Sequence, residues 1–191
     1  QYVCGTPAAL LVVEFAEDDH SENQRKLAEL EKMMAGLGYG WDKPASATGG
    51  LVCLSEPEDQ ARITEMRKSG LNIMMSMKDE AKPVSFVEDC AVELSDLAEY
   101  TDQLTQIFEK YGTTGTWYAH ASVGCLHVRP VLNMKRSEDV AAMRGIAEEA
   151  FALVKRYGGS HSGEHGDGIA RSEFNAVMFG SEMAQLFTDV K

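Results

Sequence analysis

Apolar positions recur along this chain with two different spacings, and the changes of spacing lay out its elements. Ala8–Phe15 is a short β-branched apolar run and reads as a buried strand. In Ser21–Leu37 the apolar residues Leu27, Leu30, Met34 and Leu37 fall at helical spacing, and Gly38 follows as a stop. Tyr39–Gly50 is rich in Gly, Ser, Pro and Thr and reads as a loop; it is a weak candidate for a domain boundary. Leu51–Leu54 reads as another strand. Glu56–Lys68 reads as a polar helix anchored by Ile63 and Met66. Leu71–Met77 carries three methionines and suits either ordinary core or a flexible lining beside a cleft. Val84–Val92 reads as a strand with the acidic pair Glu88 and Asp89 inside it.

The second half is patterned more strongly. Ser95 is placed to cap a helix whose face is Leu97, Tyr100, Leu104, Phe108 and Tyr111, stopped by Gly112. Thr116–Ser122 and Leu126–Arg129 read as two strands around Gly124. Ser137 is placed to cap a long helix to Tyr157, with Val140, Met143, Ala147, Ala150 and Val154 facing inward and Gly158-Gly159 ending it. Ser181–Val190 reads as a last short helix. Short strands joined by helices, without a dinucleotide fingerprint, predict an α+β fold: a mostly antiparallel sheet with helices packed on one face. The two halves leave room for a diverged duplication, though no residue-level repeat proves one.

Charge narrows the partners. The 191 residues carry 18 basic and 30 acidic side chains, a net of −12, which argues against non-specific binding of nucleic acid or an anionic membrane. An anionic ligand must therefore be held by a few placed cations. No apolar run reaches the roughly 18 residues of a membrane span, and no signal peptide is visible. The chain opens on Gln1 and not on Met, which points to processing or to excision from something longer. Cys4, Cys53, Cys90 and Cys125 form no CxxC pair. They read as small buried hydrophobes in a reducing, cytoplasmic compartment, with a disulfide or redox role as the alternative.

Four of the five histidines fall in two short segments, 118–127 and 159–168. His20 stands apart in a polar, acidic stretch and reads as exposed. His120 and His127 lie seven apart in a strand–turn–strand that Gly124 allows to reverse, so both imidazoles can aim at one spot. Glu164 lies in a glycine-rich loop that can fold closely against them. Two imidazoles and one carboxylate suit a borderline divalent ion with an open position. A pair of hydrogen-bonded histidines beside the core, with a glycine turn further on, accounts for the same residues. The second loop lacks the Lys-Ser/Thr end of a phosphate-binding loop, and Asp167 reads as a turn residue. No Gly-x-Ser-x-Gly elbow is present, which leaves nucleophilic hydrolysis little support.

These segments resemble a known family, the C-terminal cap domain of FAD-linked oxidases of the vanillyl-alcohol oxidase type, which includes D-lactate, glycolate and D-2-hydroxyglutarate dehydrogenases. Ala8–Phe15 resembles the family's opening LLVEF strand, and Met66-Arg67-Lys68 its tryptophan-x-x-arginine helix end. Lys82-Pro83 with Phe86-Val87-Glu88-Asp89 resembles its KP-x-SF-VED strand. His120 to His127 resembles its GHxGDGNxH motif, and Ser162-Gly163-Glu164-His165-Gly166 its S-x-EHG loop. The resemblance runs over nearly all of residues 1–191. It implies that this is a fragment whose FAD-binding domain lies elsewhere and that would retain no flavin alone.

The resemblance also implies roles. His120, His127 and Glu164 would hold a divalent metal, zinc or manganese. His165 would be the general base beside flavin and substrate, and Arg67 and Lys82 would meet the substrate carboxylate. The activity implied is oxidation of a D-2-hydroxy acid to the 2-oxo acid by hydride transfer to FAD. The string His120-Ala-Ser-Val-Gly-Cys-Leu-His127-Val-Arg129-Pro resembles the large bacterial branch fused to an iron–sulfur module. Electrons would then leave through a 4Fe-4S module or a quinone, from a cytoplasmic protein or one peripheral to the inner membrane. Two departures stand out. Val123 and Cys125 replace the usual Asp and Asn, and Arg129 stands where many relatives have Asn. Arg129 shares a strand face with His127, so it would suit the second carboxylate of a dicarboxylic substrate; a salt bridge to Glu164 or Asp167 would use it equally well. Rival readings are a freestanding metal-dependent hydrolase and a non-catalytic small-molecule-binding module.

Overall fold

A computed structural model describes residues 2–3, 6–39 and 50–191, and of 71–75 the backbone alone. Cys4, most of the Tyr39–Gly50 loop and the methionine side chains at 74 and 75 lie outside the described residues. The chain divides into two units, Gln1–Lys68 and Ser69–Lys191.

The first unit is helical where it is regular. Helix α1 spans His20–Gly36. Its cap is Asp19, whose carboxylate accepts from the Ser21 N–H at 2.9 Å and the Ser21 hydroxyl at 2.7 Å, leaving Ser21 inside the first turn. Leu27, Leu30 and Met34 are half-buried and Leu37 is exposed. Helix α2, Pro57–Met75, begins with proline at its first position and Glu58 and Asp59 in its first turn, and it runs seven residues past the expected end, so that its last turns, from Ser69, belong to the second unit. The Tyr2 hydroxyl donates to Asp59 at 2.7 Å. Two expectations fail here. Ala8–Phe15 and Leu51–Leu54 have no regular structure, and Leu10 to Val13 are exposed at 63%, 74%, 54% and 45%. An apolar run becomes a strand only where another edge meets its N–H and C=O groups, and among the described residues none meets these.

The second unit is the α+β body. Its elements are β1 (Lys82–Pro83), β2 (Cys90–Ala91), α3 (Leu97–Lys110), β3 (Gly115–His120), β4 (Cys125–Leu132), α4 (Ser137–Arg156), α5 (Gly168–Arg171), α6 (Asn175–Phe179) and α7 (Ser181–Val190). β4 is the centre of a wholly antiparallel sheet: β3 takes one edge, and β1 and β2 both dock on the other. Pro83 pairs Val131 and Cys90 pairs Leu126. Six residues, Val84–Asp89, therefore span four on β4, and the segment bulges out of the sheet. The continuous strand expected over Val84–Val92 is thus two short pieces around a bulge. Asp89 closes it with φ 58°, the one described residue other than glycine in the left-handed region; aspartate tolerates that conformation better than most.

One face of β4 meets the helices. Leu126, Val128 and Leu132 pack with Tyr100, Leu104 and Phe108 of α3 and with Ile146, Ala150, Phe151 and Val154 of α4. The apolar stripe predicted for α3 is buried at three of its positions, but the N-cap is Asp96, after a 3₁₀ turn at Leu94–Asp96, and not Ser95. Ser137 is the first residue of α4 and not its cap. Val140, expected inward, lines an open cleft with Phe86, Met143 and Phe174 and is 47% exposed. Cys90 and Cys125 are buried as expected, while Cys53 is exposed; all three are free thiols. No described helix is long and apolar enough to cross a membrane.

Candidate functional site

The opposite face of the β3–β4 hairpin carries the chemistry. Tyr118 pairs His127 and His120 pairs Cys125 across the ladder, so these four side chains share a face. The turn between them depends on Gly124, at φ 67°, where a Cβ would stand 1.9 Å from the Val92 carbonyl oxygen. The hairpin sets the two imidazoles edge to face with ring centres 5.0 Å apart.

The loop after α4 then lays Glu164 across them. Ser160 bridges to Ala91 of the sheet, and Glu164 Oε1 comes to 2.7 Å from His127 Nε2 and 3.7 Å from His120 Nε2. His165 stacks on His127 at 5.2 Å with the rings 21° from parallel. His127 is nearly enclosed, and burial pushes its pKa down; the Glu164 carboxylate offsets only part of that. Imidazole is thereby held in the neutral form that binds metals.

The donor set fits a divalent ion. One ligand atom from each of His120, His127 and Glu164 lies within 4.8 Å of the others, and donors about 2.0–2.2 Å from zinc stand about 3–4 Å from one another. His127 Nδ1 is buried without a hydrogen bond, and Glu88 Oε1 lies 3.9 Å from it, in the place where a ligating histidine meets a supporting carboxylate. Glu88, His127 and His165 form a second set of the same compactness. Cys125 Sγ is 3.9 Å from Glu164 Oε1; burial, then the Glu164 charge, push its thiol up to about 11.

Arg129 lies on this face as alternation requires, and its Nη2 donates to the Glu88 carboxylate. Burial alone would raise the Glu88 pKa, but the hydrogen bonds from Arg129 and Ser85 outweigh it and leave it low. Lys82 is not brought to the cluster. It pairs Leu132, five residues from His127 and hence about 17 Å along the strand, and its Nζ donates to the Met77 carbonyl. Arg67 lies on α2 in the first unit.

Residues 5–191 match the family described as FAD linked oxidases, C-terminal domain. The chain belongs to that family. Among relatives of this FAD-linked oxidase domain are the D-2-hydroxyglutarate dehydrogenase of Pantoea ananatis, 33% identical over 174 residues (91% of this chain and 17% of that protein), and that of Escherichia coli, 32% identical over 186 residues (95% and 18%). The glycolate oxidase subunit GlcD of Bacillus subtilis is 26% identical over 124 residues (64% and 26%). The chain thus spans under a fifth of the length of the dehydrogenases it matches.

Two residues that matter to this oxidase domain escape the sequence reading. Asp89 reads there as a strand residue, and Arg171 is not singled out. Yet Arg171 Nη1 donates to the Asp89 carboxylate and to the Glu88 and His161 carbonyls, and its Nη2 to the Gly166 carbonyl. The available signal was a lone cation just beyond a glycine-rich loop in an acidic chain.

Proposed function

We propose that this chain is the substrate- and metal-binding part of a flavin-dependent dehydrogenase that oxidises a D-2-hydroxy acid, preferentially a dicarboxylic one, to the 2-oxo acid. The observation that carries the reading is the convergence of His120, His127 and Glu164, with His165 stacked beside them. The names of the relatives, D-2-hydroxyglutarate dehydrogenase and glycolate oxidase subunit, support the substrate class. In this reading FAD is carried by another part of a longer polypeptide, and the electrons pass on to an iron–sulfur module or a quinone.

His120, His127 and Glu164 would hold zinc or manganese, which supplies a Lewis acid that lowers the pKa of a bound 2-hydroxyl. His165 would take the hydroxyl proton while the hydride of C2 leaves for the flavin of the longer protein, the two-electron acceptor in this reading. Its stacking on His127 fixes the plane from which it does so. Glu88 faces Nδ1 of His127 at 3.9 Å and accepts a hydrogen bond from Arg129. Arg129 offers a planar fork to a distal carboxylate, with Glu88 as the group it exchanges for the substrate. Lys82 takes no part in this reading, because its place opposite Leu132 sets it about 17 Å along β4 from His127.

The test is metal uptake by the purified 191-residue chain, by equilibrium dialysis against zinc and against manganese with elemental analysis. One ion per chain is expected, lost in His127→Ala and Glu164→Gln. Uptake that survives both substitutions overturns the assignment.

A further inference from the structure

Behind the loop that carries Glu164 and His165 lies a carboxylate with no part in the chemistry above. Asp89 is 0% exposed. Its Oδ2 accepts from the backbone N–H of Glu164 at 2.9 Å and of His165 at 2.7 Å, with the Ser162 hydroxyl at 3.4 Å. Its own carbonyl accepts from the Gly163 N–H at 2.8 Å. Four consecutive loop residues, 162 to 165, therefore hang from one side chain and its backbone. Gly163 lets them approach, since a Cβ there would meet the Asp89 carbonyl oxygen at 3.0 Å. Successive N–H groups turned on one point make a nest for an anion, and here the anion is built into the chain. Arg171 closes the arrangement: it grips Asp89 Oδ1 and ties the loop at the His161 and Gly166 carbonyls.

We propose that Asp89, held by Arg171, is the positioning residue of this centre, fixing where the Glu164 carboxylate and the His165 imidazole stand relative to His127. The inference rests on the metal-site reading above and adds the cause of its geometry. Glu164 is itself 42% exposed and His165 48%, so packing alone encloses neither, and the stacking of His165 on His127 leaves its backbone unheld. Their backbones are pinned from beneath, and the side chains inherit that position. The φ of 58° at Asp89, at the end of the bulge, is what aims the carboxylate under the loop. An amide at this position keeps the shape but offers one acceptor oxygen and no charge, so it cannot serve Arg171 and two N–H groups together.

The experiment uses the 191-residue chain with Asp89→Asn, and with Asp89→Asn and Arg171→Met together. The double variant removes both members of the buried pair and so avoids stranding a charge. Zinc affinity is measured by competition with a chromophoric chelator, and amide hydrogen exchange is followed residue by residue. Affinity is expected to fall about 10–100-fold in both variants, the range for lost supporting contacts. The Glu164 and His165 amides should exchange at least about tenfold faster while those of Leu104 and Val128 in the core do not change. A double variant that regains wild-type affinity and wild-type protection at 164 and 165 overturns the proposal, because Asp89 then only balanced Arg171. If the wild-type chain takes up no zinc, the metal reading fails separately, and the exchange rates alone decide whether Asp89 fixes the loop.

Discussion

Arg129 is paired with Glu88: its Nη2 donates to Glu88 Oε1, and both side chains are largely withdrawn from solvent, at 16% and 12% exposure. The cation that strand alternation places beside His127 is therefore already neutralised at rest, and its Nε is buried without a partner. A second substrate carboxylate must compete with Glu88 for the fork. On the function proposed above, Arg129→Ala in the longer protein should lower kcat/KM for a dicarboxylic 2-hydroxy acid by about one to two decades, as a charge-assisted contact of about 1.5–3 kcal/mol requires. D-lactate should lose far less. Equal losses on the two substrates would make Arg129 a prop for the bulge and nothing more.

Metal binding should be visible as stability. A ligand that binds only the folded chain at about 100 times its Kd adds about 2.7 kcal/mol. Zinc should therefore raise the melting temperature of the isolated chain by several degrees, and chelation should reverse the shift. Glu164→Gln should abolish the zinc-dependent part while leaving the metal-free melting temperature nearly unchanged, because Glu164 is 42% exposed and anchored through its backbone. A zinc shift of full size in that variant would remove Glu164 from the ligand set.

What the sequence made legible follows from how local each signal is. The α3 stripe could be read because Tyr100, Leu104 and Phe108 sit on one helical face and all three are buried. The hairpin could be read because Gly124 marks a turn that only glycine fits, and with it came the meeting of His120 and His127. Ala8–Phe15 misled because a branched apolar run describes a residue's preference, and a strand also needs a partner edge. Asp89 was hidden for a related reason: a strand pattern of apolar neighbours surrounds it, while the loop it holds lies 75 residues away. Lys82 was grouped with the site by motif alone, and register, which no motif encodes, puts it opposite Leu132.

Two glycines with the same φ separate strain from space. Gly124 at 67° would drive a Cβ into the Val92 carbonyl, whereas Gly158 at 65° has nothing within 4 Å. Gly158→Ala should cost about 1 kcal/mol, the left-handed penalty alone. Gly124→Ala should cost at least about 2 kcal/mol more, since backbone must move, and it should also weaken zinc binding by splaying His120 from His127. Urea denaturation of both variants measures the difference; equal midpoints would show that the hairpin tip yields.

Cys90 should make the fold sensitive to base. Burial pushes its thiol up to about 12, against about 8.5 in an unfolded chain. Above pH 8.5 the unfolded chain releases the proton and the folded chain keeps it, so stability is intact below that pH and falls as pH rises. Between pH 8.5 and pH 10 the loss from this group is about 2 kcal/mol. Cys90→Ala should flatten the stability profile by that amount over the same interval, measured by urea denaturation at each pH. Parallel profiles would mean that the buried thiol does not contribute.

The bulge over β4 also sets how this chain can change length. Six residues stand against four, and the stretch is turn and not strand, ending on Asp89 in the left-handed region. Alternation therefore does not run through it, and Cys90 faces inward because β2 pairs again with Leu126. The same excess gives Glu88 and Asp89 the room from which they reach Arg129 and the Glu164 loop. Shortening Val84–Asp89 by two, to match β4, would flatten the stretch into strand and take both carboxylates from the centre while leaving the rest of the sheet paired.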